Sequence, residues 1–144
     1  MNDNKPKAAC GTWPSPISAA VVAQGSVPLS QVACDGDDVY WLAGRASEGG
    51  RNTLLRKSGG TVTELTPAPF NVRTRVHEYG GGAYVVFKGV AWFSNFADNL
   101  VYVKRGADAP VALTRPGKER YADFAYDPRR ERLLAVCEDH TGGG

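Results

Sequence analysis

The chain has 144 residues, 42% hydrophobic and 22% charged, with a formal net charge of +2. That length and balance supply the core of one ordinary globular domain and exclude a disordered chain. So small a net charge gives no electrostatic footprint for nucleic acid or an anionic membrane.

No apolar run approaches bilayer length, so no membrane partner is expected. The polar start, Met1-Asn-Asp-Asn-Lys-Pro-Lys7, lacks the apolar core of a signal peptide, which makes the cytoplasm the expected location. Cys10, Cys34 and Cys137 are widely spaced and form no CxxC pair; neither a zinc site nor a disulfide framework is expected, and no cofactor is implied. The 17 glycines and 9 prolines favour many turns over long helices.

In chain order, residues 1 to about 12 read as a loose tail. Ser15 is a good N-cap, Pro16 suits a first helical position, and Gly25 stands where a left-handed C-terminal cap belongs. These signals predict a short helix over 16–24, too short to be stable without packing on something. Residues 1–30 thus read as a tail with a short helix.

From Val27 onward the pattern is β. A turn at Asp35-Gly-Asp-Asp38 precedes a strand at Val39–Ala43, and Glu48-Gly-Gly-Arg51 is a loop. Strands follow at Asn52–Lys57 and Thr61–Thr66, joined by the hairpin turn Ser58-Gly-Gly60, and Pro67-Ala-Pro69 stops the run. The same order recurs. Strands at Ala83–Phe87, Val90–Ser94, Leu100–Lys104 and Val111–Thr114 alternate with connections at Lys88-Gly89, Asp98-Asn99 and Arg105–Ala109, and Pro116 closes the set. A third copy opens with Tyr121–Tyr126, a turn at Asp127–Arg130 and a strand at Arg132–Val136.

Landmarks align between copies: Leu65-Thr66-Pro67 with Leu113-Thr114-Arg115-Pro116, and Tyr40-Trp41 with Trp92-Phe93. A period of roughly 40–50 residues with four short strands marks a β-propeller blade; a β-sandwich is the plainer alternative. The expected fold is all-β, a partial propeller of about two and a half four-stranded blades. Blade one spans about 31–70, blade two about 80–116 and a partial blade three about 120–144. A closed propeller needs more blades, so the chain reads as the N-terminal piece of a longer protein. Taken alone it is expected to leave strand edges unpaired and apolar sheet faces uncovered.

Alternating strand direction sorts the loops. Glu48–Arg51, Asp98-Asn99 and Glu138–His140 join second to third strands, while Asn71–Tyr79 and Arg115–Tyr121 run between blades, so all the charged loops share one face. Plain turns, such as Asp35-Gly36 and Lys88-Gly89, fall on the other.

Five stretches carry a family resemblance: Gly11-Thr-Trp-Pro-Ser-Pro-Ile-Ser18, Gly44-Arg-Ala-Ser-Glu-Gly-Gly-Arg51, Asn71-Val-Arg-Thr-Arg-Val-His-Glu-Tyr-Gly-Gly-Gly82, Phe93-Ser-Asn-Phe-Ala-Asp98 and Glu138-Asp-His140. The chain from about residue 11 onward resembles the N-terminal propeller part of prolyl oligopeptidase family serine peptidases. Its acylaminoacyl-peptidase and dipeptidyl-aminopeptidase-like members are the nearest group. The resemblance implies a C-terminal α/β-hydrolase domain as partner, short peptides as substrates, and a propeller that gates and selects them. That domain's Ser-Asp-His triad has no counterpart here: the sequence holds no Gly-x-Ser-x-Gly elbow. No catalytic residue is therefore assigned, and the chain alone is not expected to hydrolyse peptides. A free-standing, non-enzymatic β-rich binding or scaffold module is the alternative.

Arg73, Arg75, His77 and Glu78 are the candidate substrate- or interface-facing residues. An arginine can hold a peptide carboxylate bidentately and a glutamate an α-amino group; equally, such charges can pair with neighbouring loops. His77 and His140 stand beside Glu78, Glu138 and Asp139, too few ligands in sequence to assign a metal. His77-Glu-Tyr-Gly-Gly-Gly82 is a poor match to a His-Gly-Gly-Gly oxyanion loop without a nucleophile beside it. Tyr40, Trp41, Tyr84, Trp92 and Phe93 read as blade packing, and Arg129, Arg130 and Arg132 as a solvated turn.

Overall fold

The computed structural model describes residues 27–142 and, before them, positions 7, 9–12, 15, 17–19 and 21–22. The helix expected over 16–24 lies largely outside the described residues. Of that stretch, the Val22 N–H donates to the Ser18 carbonyl at 3.1 Å.

Strands β1 (Leu29–Asp35), β2 (Asp38–Arg45), β3 (Arg51–Ser58) and β4 (Thr61–Glu64) form one sheet in the order β1-β2-β3-β4. Strands β5 (Tyr84–Phe87), β6 (Val90–Ser94), β7 (Val101–Lys104) and β8 (Val111–Ala112) repeat that order in a second sheet. Strands β9 (Glu119–Asp127) and β10 (Arg132–Asp139) pair in a third. Every neighbouring pair is antiparallel, and the four-strand meander is a propeller blade. Local chemistry sets the hairpins: Gly59 and Gly60 both take positive φ, 52° and 90°, as a tight turn matched to strand twist requires.

The core lies between sheets one and two. Tyr40 and Leu42 of β2, Leu54 of β3, Val72, Tyr84 of β5, and Ala91 and Phe93 of β6 form one buried cluster. Period-2 alternation places Tyr40, Leu42 and Leu54 on one face, with Leu42 directly opposite Leu54. Phe70 meets Phe93 edge-on at 5.7 Å and Tyr102 at 5.1 Å, tying the blade connection to sheet two. Sheets two and three meet through Tyr126, whose ring stacks on Trp92 at 4.8 Å.

The repeated Leu-Thr pair has a mechanical meaning. Leu65 N–H donates to the Leu54 carbonyl at 2.8 Å, and Thr66 Oγ1 accepts the Leu54 N–H at 2.8 Å. In sheet two, Leu113 N–H donates to the Val101 carbonyl at 2.7 Å, and Thr114 Oγ1 accepts the Val101 N–H at 3.0 Å. The threonine hydroxyl thus stands in for a ladder carbonyl two residues beyond the last strand. It also explains why β8 ends at Ala112 rather than at Thr114: the outer pairing passes to a side chain.

At the inner edge, β1 and β9 each carry a bulge, and each bulge holds a left-handed non-glycine residue, Gln31 (φ 51°) and Asp123 (φ 54°). β5 runs between them. Gln31 Oε1 accepts the Ala83 N–H at 2.8 Å and its Nε2 donates to the Gly81 carbonyl at 3.1 Å. From the other side Asp123 Oδ1 accepts the Gly82 N–H at 2.6 Å, and Asp123 N–H donates to the Gly82 carbonyl at 2.8 Å. The buried Tyr84 hydroxyl donates to the Gln31 carbonyl, and burial pushes its pKa up.

Candidate functional site

Residues 71–83 join sheet one to sheet two and carry every predicted site residue. Their path is fixed from both sides. Asn71 Oδ1 accepts the Asn52 N–H at 3.0 Å, and Asn95 Oδ1 accepts the Asn71 N–H at 3.0 Å. Val72 N–H donates to the Asn52 carbonyl at 2.8 Å, Arg73 N–H to Ser94 at 3.2 Å, and Phe96 N–H to Asn71 at 2.9 Å. Val72, Thr74 and Val76 turn inward and are buried, so extended geometry turns Arg73 and Arg75 outward, and the turn that follows leaves His77 exposed.

Arg51 anchors the start of this connection. Its Nη1 donates to the carbonyls of Thr66 and Phe70, both at 3.0 Å, its Nη2 to Glu64 Oε1 at 3.0 Å, and its Nε to Glu48 Oε2 at 2.6 Å. Burial raises the Glu64 pKa, but hydrogen bonds from Thr53 and Arg51 outweigh it and hold the carboxyl below its usual range. Arg51 is thereby a buried brace at the end of this loop, while Glu48, Gly49 and Gly50 stay exposed.

Arg73 and Arg75 share one platform. Their guanidinium carbons lie 4.8 and 4.1 Å from the centroid of the Phe96 ring, in the loop between β6 and β7. His77 and Glu78 both adopt left-handed conformations, φ 58° and 57°, which cost roughly 1–2 kcal/mol each for residues with a Cβ. Three local hydrogen bonds hold that turn: Glu78 N–H to Arg75 O at 3.1 Å, Tyr79 N–H to His77 O at 2.6 Å, and Gly80 N–H to Val76 O at 3.0 Å. Gly80, at φ 89°, completes the reversal and leaves the Tyr79 side chain 97% exposed.

His77 reaches sheet three. Its N–H donates to Glu138 Oε1 at 2.7 Å, its Nδ1 lies 3.6 Å from that oxygen, and its Nε2 lies 3.6 Å from Asp123 Oδ2. Glu138 Oε2 also lies 3.3 Å from His140 Nε2. The His77 backbone N–H, then the two imidazoles, hold the Glu138 carboxyl below its usual range. Among the described residues, no group of three or more His, Cys, Asp or Glu side chains is arranged to hold a metal ion.

The four predicted residues therefore do not form one constellation. Arg73 and Arg75 come together, His77 joins Asp123 and Glu138, and Glu78, its sequence neighbour, makes no side-chain hydrogen bond or ion pair among the described residues. Glu138 and Asp139 lie in the end of β10 rather than in a loop. A cleft of about 330 Å³ opens between the β1 bulge, the start of β3 and this connection, lined by Gln31, Asn52, Arg73, Thr74, Tyr79 and Gly80 among others.

The comparisons bear on this geometry. A puromycin-hydrolyzing peptidase from Mycobacterium tuberculosis superposes on 88% of the chain with a TM-score of 0.80 and 41% sequence identity. This chain is a propeller segment of the prolyl oligopeptidase family. A puromycin hydrolase structure matches 92% of it at TM-score 0.81 and 35% identity, and a serine-to-alanine mutant of puromycin hydrolase complexed with PGG matches 92% at 0.81 and 36%. The chain spans only about a fifth of these peptidases, 21% of the first and 22% of the others. No protein-family model matches it, and no curated protein does. No helix among the described residues is long and apolar enough to cross a membrane.

Beside these family members, the residues that sequence reasoning passed over are Phe96 and Asp123. Phe96 sits in a motif already notable, but nothing local shows that two arginines rest on it. Asp123 reads as an ordinary polar residue of a half-exposed strand; only its partner, 41 positions away, gives it a role.

Proposed function

We propose that this chain forms part of the propeller of a cytoplasmic serine peptidase acting on short peptides, of the acylaminoacyl- or dipeptidyl-aminopeptidase type. Its loop-bearing face, with Arg73, Arg75, His77 and Glu78, is directed at a C-terminal α/β-hydrolase domain, where it gates and selects substrate. Catalysis belongs to that domain. The observation that carries this reading is 41% identity over 88% of the chain to a peptidase of the same propeller geometry. The clustering of the charged connections on one face, opposite plain turns, supports the direction.

Two measurements test it. The gene read beyond codon 144 supplies a Gly-x-Ser-x-Gly elbow followed by Asp and His. In the full-length protein, Arg73→Ala, Arg75→Ala and Glu78→Ala, made singly, lower kcat/KM on short peptides without lowering Tm. Loss of Tm with turnover per folded molecule intact would sink the substrate role.

A further inference from the structure

Arg73 and Arg75 carry charge that no described residue answers. Both are exposed, and because both guanidinium carbons lie so near one ring centroid, they sit within about 9 Å of each other. Among the described residues neither has an ion-pair or side-chain hydrogen-bond partner, whereas Arg45, Arg51, Arg56, Arg130 and Arg132 each have a carboxylate within 4.0 Å. The Phe96 ring lies against both cations. Two like charges held together repel, and one anion between them removes that cost.

A carboxylate is the matching anion: it accepts two parallel N–H bonds from one guanidinium, and its oxygens keep lone pairs for a neighbouring one. Arg73 also lines the 330 Å³ cleft, which is at the small end of ligand sites, roughly 300–1,000 Å³. Its remaining walls offer amides, a hydroxyl and the exposed Tyr79 ring, which suit a peptide main chain.

We infer that Arg73 and Arg75, seated on Phe96, bind the C-terminal carboxylate of a short peptide whose last residues lie in this cleft. The inference rests on the proposed function for the peptide itself. A side-chain carboxylate of a docked hydrolase domain is the other source of the same chemistry, and the experiment separates the two.

In the full-length protein, kcat/KM is measured on a tripeptide with a free C-terminus and on its C-terminal amide. Calorimetry then measures binding of both peptides. The wild type favours the free acid. Arg73→Gln or Arg75→Gln cuts free-acid kcat/KM about tenfold, about 1.4 kcal/mol, and cuts it far more than the amide value, so the preference collapses. Phe96→Leu, which keeps the bulk and removes the π face, weakens the preference in part. Equal losses on both peptides, the pattern of a domain-docking role, overturn the inference, and so does a wild type indifferent to the terminal charge. If the wild type hydrolyses neither peptide, the peptidase reading fails, and calorimetry decides alone. Free-acid binding weakened by the arginine substitutions then supports the clamp, and unchanged binding overturns it.

Discussion

Replacing Arg51 with methionine isolates what holds the connection that presents Arg73 and Arg75. Methionine keeps an apolar stem in the buried site and removes five donors. The one Thr53 hydroxyl proton serves either Thr66 O at 3.0 Å or Glu64 Oε1 at 2.7 Å, and Glu64 also keeps Arg45 at 3.7 Å. Each of those losses is therefore worth about 1 kcal/mol. Phe70 O loses its one side-chain donor, at about 1–2 kcal/mol in a half-buried position. The Glu48 pair involves a side chain 42% exposed and contributes little. The total is about 3 kcal/mol, localised to the β3–β4 end of sheet one. Native-state hydrogen exchange reads it directly: the amides of Leu54, Leu65 and Val72 exchange roughly a hundredfold faster, while those of β6 change little. A change below about threefold at those three amides would refute the reasoning. Equal acceleration throughout sheet two would show that the brace is global instead.

Gly81→Ala would place a Cβ 2.9 Å from both Asp123 carboxylate oxygens and 3.0 Å from the Ala122 Cβ. It should cost about 1–3 kcal/mol, read as a lower urea midpoint, and Asp123→Ala in the same chain should recover part of it. Glu138 contributes stability that is fully present above its ordinary carboxyl value of 4.5, because its folded value is depressed. That contribution disappears as pH falls through the folded value. The His77 amide should accordingly lose exchange protection on acidification below 4.5, and Glu138→Gln should remove that pH dependence.

Strands and turns were legible because their signals are local. Val39–Ala43, Asn52–Lys57 and Val90–Ser94 alternate or run apolar between Gly and Asp punctuation, and each lies in an observed strand. The repeated Leu-Thr landmark was visible too, though not its cause, since a hydroxyl completing a ladder 12 or 13 residues away leaves no periodic trace. The three glycines were legible as permissive but not in their division of labour. Gly80 serves backbone conformation, while Gly81 and Gly82 make room for Asp123. His77 shows the limit most plainly. Sequence offered Glu78 as its neighbouring carboxylate, whereas the partner is Glu138, 61 positions on.

The alternation of inner strands restricts how such a propeller can be rearranged. The glycine run leading into β5 offers bare amides and carbonyls on both flanks, and the bulged strands beside it supply Gln31 on one side and Asp123 on the other. A duplicated blade set beside its own copy would confront like with like. Two bulges would face each other with spare acceptors, or two glycine runs with none. A blade inserted beside β5 must therefore bring its own side chain to take over the contacts of Gln31 or Asp123.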